Sequence, residues 1–268
     1  MFSVSTLLQR VVMREEKSDA VTSSMLFQLI MTVLSVPVAF YFGFHLPSVT
    51  LLPFFVISAV LYGFGTLSFF RASQELEASE SSILAGSGAL VTIIASYIFL
   101  AERFTVTQLL GVGLILSAVI LVNYRRDKIS LKKGSWYALL GAACYGLAVV
   151  SDGYILRSFD TFSFLPFMNI MPATVILLAY PKKFPKLIHD LRHINKNLVL
   201  YSAVYLVAAE TFYYPLKNGA LVSQMSTIMR ASIIMTVVLG MIILKERSHP
   251  LKKLAGAILT TAGILLIR

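Results

Sequence analysis

Three ionisable side chains stand inside stretches that otherwise carry no charge: Arg230 within 221–244, Glu210 within 198–216, and Asp152 in the outer third of 136–156. A guanidinium can grip the anionic group of a small solute. A carboxylate can take up and release a proton. A charge at the centre of a bilayer costs about 2.5–3.5 kcal/mol on insertion scales, so such residues are functional candidates wherever the surrounding helix spans a membrane. Residues three, four and seven apart share a helix face. That spacing puts Ser223, Ser226 and Thr227 beside Arg230, Tyr214 and Lys217 beside Glu210 with Tyr213 adjacent, and Tyr145 and Ala148 beside Asp152. Each helix then carries one polar face, and lipid offers such a face no partner, so the three should turn inward to a shared cavity. Gln28 and Asn169, uncharged hydrogen-bonding residues at matching positions of two similar halves, are expected to line it as well.

Structural alternatives stand beside these roles. Arg230 and Glu210 can neutralise each other as an ion pair, and Asp152 can pair with Arg157 or reach towards the interface. Glu77 and Glu80 read as a wet helix entrance. Glu102 and Glu246 read as caps of their own turns that balance Arg103 and Arg247 at the membrane surface. The tyrosines, Tyr213 and Tyr214 included, read first as packing or interface anchors. The histidines His45, His189, His193 and His249 fall in loops without a third metal ligand, so neither a metal nor a cofactor is expected. No HExxH, P-loop or glycine-rich dinucleotide motif is present, which leaves no ATP engine and no visible enzyme chemistry.

The elements that must hold these residues are apolar. Of the 268 residues, 57% are hydrophobic and 13% charged, against about 25% charged in a soluble domain. Runs without a single charge cover 24–44, 46–70, 81–101, 104–124 and 161–181. Roughly 18 such residues suffice for a membrane span. The class is an all-α, polytopic membrane helix bundle. The net charge of +10 gathers in short loops, which is a topology signal and not a nucleic-acid surface. The single cysteine, Cys144, gives no disulfide framework. The stretch 1–19 has no cleavable signal pattern, because Arg10, Arg14, Glu15, Glu16 and Lys17 interrupt its apolar part.

The run 81–122 is written twice. Its first half stops at Glu102-Arg103, turns, and leaves again through Gly111; the stretch 225–267 stops at Glu246-Arg247, turns at Ser248-His249-Pro250, and leaves through Gly256. Repetition at this length fixes architecture. Laid over each other, the halves 1–129 and 130–268 each hold five helices, but 2–13 matches only the second part of the helix at 136–156. The expectation is therefore nine full spans plus a stub, with the first helix truncated. Five helices per repeat give the halves opposite orientations, as in carriers that bind substrate near the midplane. Gly86 is the counterpart of Arg230, so the charge is confined to one half, an asymmetry assigned to the substrate. The Lys and Arg count places the basic loops in the cytoplasm and the C-terminus outside.

An uncharged helix ending in Glu-Arg, a short turn, then Gln108 and Gly111 in one copy and Gly256 in the other, resembles the EamA-type family of the drug/metabolite transporter superfamily. The resemblance covers nearly the whole chain. It implies ten spans in two five-helix repeats with both termini inside, which differs from the orientation given by the charges. It implies export or import of small molecules without naming one.

The expected function is a gradient-driven secondary transporter of small polar organic metabolites in the cell (plasma or inner) membrane. Arg230 takes the substrate's anionic group, and Glu210 or Asp152 couples movement to protons. The expected partners are the small-molecule substrate and the lipid bilayer, with a homodimer left open and no nucleic acid. The alternative from another class is a transport-inactive membrane scaffold or partner-binding protein, which the short first helix favours.

Overall fold

In a computed structural model, residues 1–14, 18–100, 105–125, 128–129, 131–217, 222–246 and 248–267 are described. Among these, the side chains of 93, 96–100, 108, 123–125, 128–129, 216–217, 222–231 and 267 lie outside the description. Helices follow one another almost without interruption: α1 (Phe2–Arg14), α2 (Ala20–Phe42), α3 (Leu52–Glu75), α4 (Ala78–Ala85), α5 (Gly88–Leu100), α6 (Val106–Asn123), α7 (Lys133–Leu156), α8 (Thr161–Ala179), α9 (Phe184–Arg192), α10 (Lys196–Lys217), α11 (Val222–Ile243) and α12 (Pro250–Ile267). A two-residue antiparallel ladder, Tyr124–Arg125 with Lys128–Ile129, joins α6 to α7.

Among the described residues, four helical segments are long and apolar enough to cross a membrane: Ala20–Phe42, Val49–Glu75, Lys133–Leu156 and Thr161–Ala179. Their ends have local causes. Asp19 caps α2, accepting weakly from the Val21 N–H at 3.4 Å, and Asp160 caps α8 by accepting from the Ser163 N–H at 2.9 Å. Gly43, at φ 94°, takes the left-handed backbone that lets the chain leave α2.

The beginnings of the helices repeat. Leu52 and Lys196, Ala78 and Val222, and Val106 and Pro250 open corresponding helices at one constant separation. Packing repeats with them. α3 lies on α7 as α10 lies on α1, α5 lies on α7 as α11 lies on α1, and α2 pairs with α8 as α6 pairs with α12. Glycine permits two close backbone crossings. A Cβ on Gly146 of α7 would stand 2.5 Å from the Gly88 carbonyl oxygen, and one on Gly263 of α12 would stand 2.6 Å from that of Gly111. Close backbone approach through small residues is how helices associate in lipid. Thr92 fastens the first crossing by donating to the Gly146 carbonyl at 3.0 Å.

Several expectations are corrected. The run 81–101 is not one helix. It divides at Gly86–Ser87, where bonds from the Ser87 N–H to the Leu84 carbonyl and from the Ala89 N–H to the Gly86 carbonyl tighten the turn. His189 does not fall in a loop, since it lies on α9. Glu80 does not sit at a wet entrance; it is 6% exposed. Glu246 does not cap its own turn at the surface. Its carboxylate is buried and accepts from the Ala78 N–H at 2.7 Å, the Ser79 N–H at 3.2 Å and the Ser79 hydroxyl, closing the N-terminus of α4 from the far end of the chain. Gly240 leaves room for it, its Cβ position being 3.0 Å from Glu246 Oε2. Lys253 completes the cluster by pairing with Glu77 and standing 3.9 Å from Glu246.

Candidate functional site

The described polar core of the bundle is built on α3. Ser58, Tyr62 and Thr66 recur every fourth residue and so share one face of that helix. Opposite them α7 carries Tyr145 and Asp152, two turns apart. Close packing of α3 on α7 brings the two faces together, because Gly65 and Gly141 let the rings of Tyr145 and Phe69 lie against the facing helix. α10 contributes Tyr205 and Tyr213 from the third side.

Asp152 is the centre. Only 2% of it is exposed. Ser58 donates to its Oδ1 at 3.1 Å, and Tyr213 donates to Oδ2 at 3.2 Å. The Tyr62 hydroxyl donates to the same Oδ2 and lies 3.3 Å from the Tyr213 hydroxyl. A carboxylate accepts and does not donate when ionised, so three hydroxyls aimed at one carboxyl form a consistent shell. The two structural alternatives for this residue are corrected: its partners are hydroxyls and not Arg157, and its burial excludes reaching to the interface.

A second hydrogen-bonded chain lies beside this shell. Gln28 on α2 donates to Thr66 at 3.0 Å, which leaves the Thr66 hydroxyl proton for the Tyr145 oxygen 2.9 Å away. The Tyr145 ring stands edge-on to that of Tyr62 at 4.9 Å. Gln28, Thr66 and Tyr145 thus form a hydrogen-bonded chain of their own, which meets the Asp152 shell through the packing of the Tyr145 ring on that of Tyr62.

Glu210 lies one turn from Tyr213 on α10, and neither of its buried carboxyl oxygens has a hydrogen-bond partner among the described residues. Asn169 is buried, but its amide donates to the Leu165 carbonyl of its own helix at 2.7 Å. The structure does not bring it into the hydroxyl network through that bond. Tyr214 is 52% exposed and its ring tilts against Phe162 at 5.9 Å, on the outer side of α10. Arg230, Ser226 and Thr227 fall on α11, but their side chains lie outside the described residues, as do Glu102, Arg103 and Gln108 of the first Glu-Arg motif. Sequence reasoning missed Ser58, Tyr62 and Thr66. Their signal was present, a hydroxyl at every fourth position of an apolar run, but single hydroxyls carry too little polarity to stand out beside a charge.

A bundle of apolar helices enclosing a hydroxyl-coordinated carboxylate is the interior of a multi-pass membrane protein, and the comparisons define which kind. The chain matches the EamA-like transporter family over residues 1–124 and again over 132–268. It belongs to that family, whose members are membrane transporters. It is 44% identical over 71 residues to the uncharacterized protein y4nH of Sinorhizobium fredii, a stretch that is 26% of this chain and 61% of that relative. The chain thus spans less than two thirds of the relative's length. A solved crystal structure aligns over 99% of this chain and 93% of its own at a TM-score of 0.58 and 13% identity. That likeness is one of fold. Asp152 and Tyr213 belong to the second matched segment, while Ser58, Tyr62, Thr66 and Gln28 belong to the first. The polar cluster therefore joins the two segments.

Proposed function

We propose that the chain is a secondary carrier for a small polar organic metabolite in the cell membrane. It works by alternating access between two inverted five-helix repeats, 1–129 and 130–268, with nine full spans. One observation carries the reading: a buried carboxylate, Asp152, held by hydroxyls from both repeats. Such a group binds a proton or a substrate donor in one arrangement of the halves and loses its ligands when they separate. The repeated helix beginnings and the exchange of packing partners support two equivalent halves. So does the brevity of the Sinorhizobium fredii relative, less than half as long as this chain. Arg230, flanked by Ser226 and Thr227 on α11, takes the substrate's anionic group, and Asp152 with Glu210 couples the cycle to protons.

Proteoliposomes loaded against a proton gradient test this. Amino acids, nucleosides and sugar phosphates are offered in turn, and uptake is compared with the gradient collapsed. Gradient-dependent flux of one class, reduced at least tenfold by Arg230→Ala and by Asp152→Asn, is the expected result. Full flux in either variant removes the assigned role. No flux of any solute returns the chain to the scaffold reading.

A further inference from the structure

Helix α9 is too short to cross a bilayer and too apolar on one side for water. Its nine residues reach about 13 Å, less than half of the ~30 Å hydrocarbon layer. Leu187 points inward and is buried against the core that α2 helps to form. Around the helix from it, Phe184, Ile188 and Leu191 form a continuous stripe that stays 48%, 38% and 40% exposed. Charge frames the stripe. Lys182, Arg192 and Lys196 are exposed, and the stretch 181–196 holds five Lys or Arg against Asp190 alone.

The helix is also held in place. Lys183 pairs with Asp19, the cap of α2, at 2.9 Å, and Lys186 stands 3.7 Å from the same carboxylate. With Leu187 these contacts fix α9 at the start of α2, the end at which that apolar span begins. An amphipathic helix with cations beside its apolar stripe, set at that depth, suits an interface whose polar layer is negative.

We infer that α9 is a docking surface for anionic phospholipid. Phe184, Ile188 and Leu191 enter the acyl boundary while Lys182, Arg192 and Lys196 meet headgroup phosphates. The full chain is placed in nanodiscs of phosphatidylcholine, or of phosphatidylcholine with one third phosphatidylglycerol, and amide hydrogen exchange of 184–192 is followed. Phosphatidylglycerol should slow that exchange roughly fivefold or more at ~0.1 M salt, and much less at ~1 M salt, because the attraction is screened. Lys182→Gln with Arg192→Gln and Lys196→Gln should abolish the difference between the two discs. Ile188→Ser with Leu191→Ser should speed exchange in both, while α2 and α8 keep their protection. Equal exchange of the native chain in the two lipids, or a phosphatidylglycerol effect unchanged by the triple substitution, overturns the inference.

Discussion

Replacing Asp152 separates two things its carboxylate does. It accepts from Ser58, Tyr62 and Tyr213, and it can carry a charge. Asp152→Asn keeps the shape. Turned with its oxygen to the two phenols, the new amide donates to Ser58, whose oxygen can accept, so every group retains a partner. The loss is the difference between charge-assisted and neutral bonds, about 1–3 kcal/mol over the three. Asp152→Ala leaves three buried hydroxyls without their acceptor and opens a void, roughly 3–6 kcal/mol. The assay is unfolding in one detergent, paired with flux in proteoliposomes. Asn should unfold slightly early and Ala far earlier, while both lose gradient-driven flux. Tyr62→Phe made in each background gives a cycle, with a coupling of about 1 kcal/mol or more between Tyr62 and Asp152. Equal stability of the Asn and Ala variants, or additivity within about 0.5 kcal/mol, would refute a shell organised on this carboxylate.

Other consequences are separately testable. Glu246→Ala strips α4 of its cap and leaves Lys253 with Glu77 alone, so it should cost about 3–5 kcal/mol in detergent unfolding, and Glu246→Gln clearly less. Gly146→Ala drives a methyl onto the Gly88 carbonyl; a loss of about 1–3 kcal/mol is expected, whereas Gly153→Ala, with open space at its Cβ, should be silent. Burial disfavours the charge on Asp19, but the hydrogen bond and charge of Lys183, then Lys186 and the Val21 N–H, outweigh it and hold the carboxyl below its ordinary value. A depressed carboxyl stabilises fully above its unfolded value and loses that contribution as pH falls through the folded one. Asp19→Asn should therefore lower stability by about 0.5–2 kcal/mol at neutral pH, and the gap to the native chain should close as pH falls through the lowered carboxyl, below the ordinary aspartate range.

The parts of the fold legible in the sequence were those written in periodic hydrophobicity. Uncharged runs gave α2, α3, α6 and α8, a run broken only by Asp152 gave α7, and the doubled Glu-Arg turn gave the correspondence later seen in helix beginnings and packing partners. Asp152 was legible because a charge in an apolar run is costly wherever it points. Its ligands were not, because Ser58 and Tyr62 acquire meaning only through the crossing of α3 on α7, which spacing along either helix does not encode. The break at Gly86–Ser87 was hidden for a related reason. Both residues are compatible with a helix, and the division comes with tertiary crowding: a Cβ on Gly86 would lie 2.2 Å from Thr260 of α12. Glu246 was misread because a carboxylate beside an arginine suggests a surface pair, whereas the groups that donate to it belong to Ala78 and Ser79, far away in sequence. Tyr214 followed Glu210 in helical spacing yet turned outward, since four residues of spacing permit a shared face without fixing which face meets the core.

The pairing of α6 with α12 bears on how the molecule is made. A ribosome delivers α6 to the membrane well before α12, and the helices α7 to α11 emerge between them. Until then the glycine-lined flank at Gly111 and the N-terminus of α4, whose cap resides on Glu246, stand without their mates. A nascent chain at that stage exposes a sticky small-residue seam and uncapped amides. Those are features by which quality-control proteases and insertases recognise an incomplete client, so premature stops beyond α11 should yield rapidly degraded product and not a smaller stable bundle.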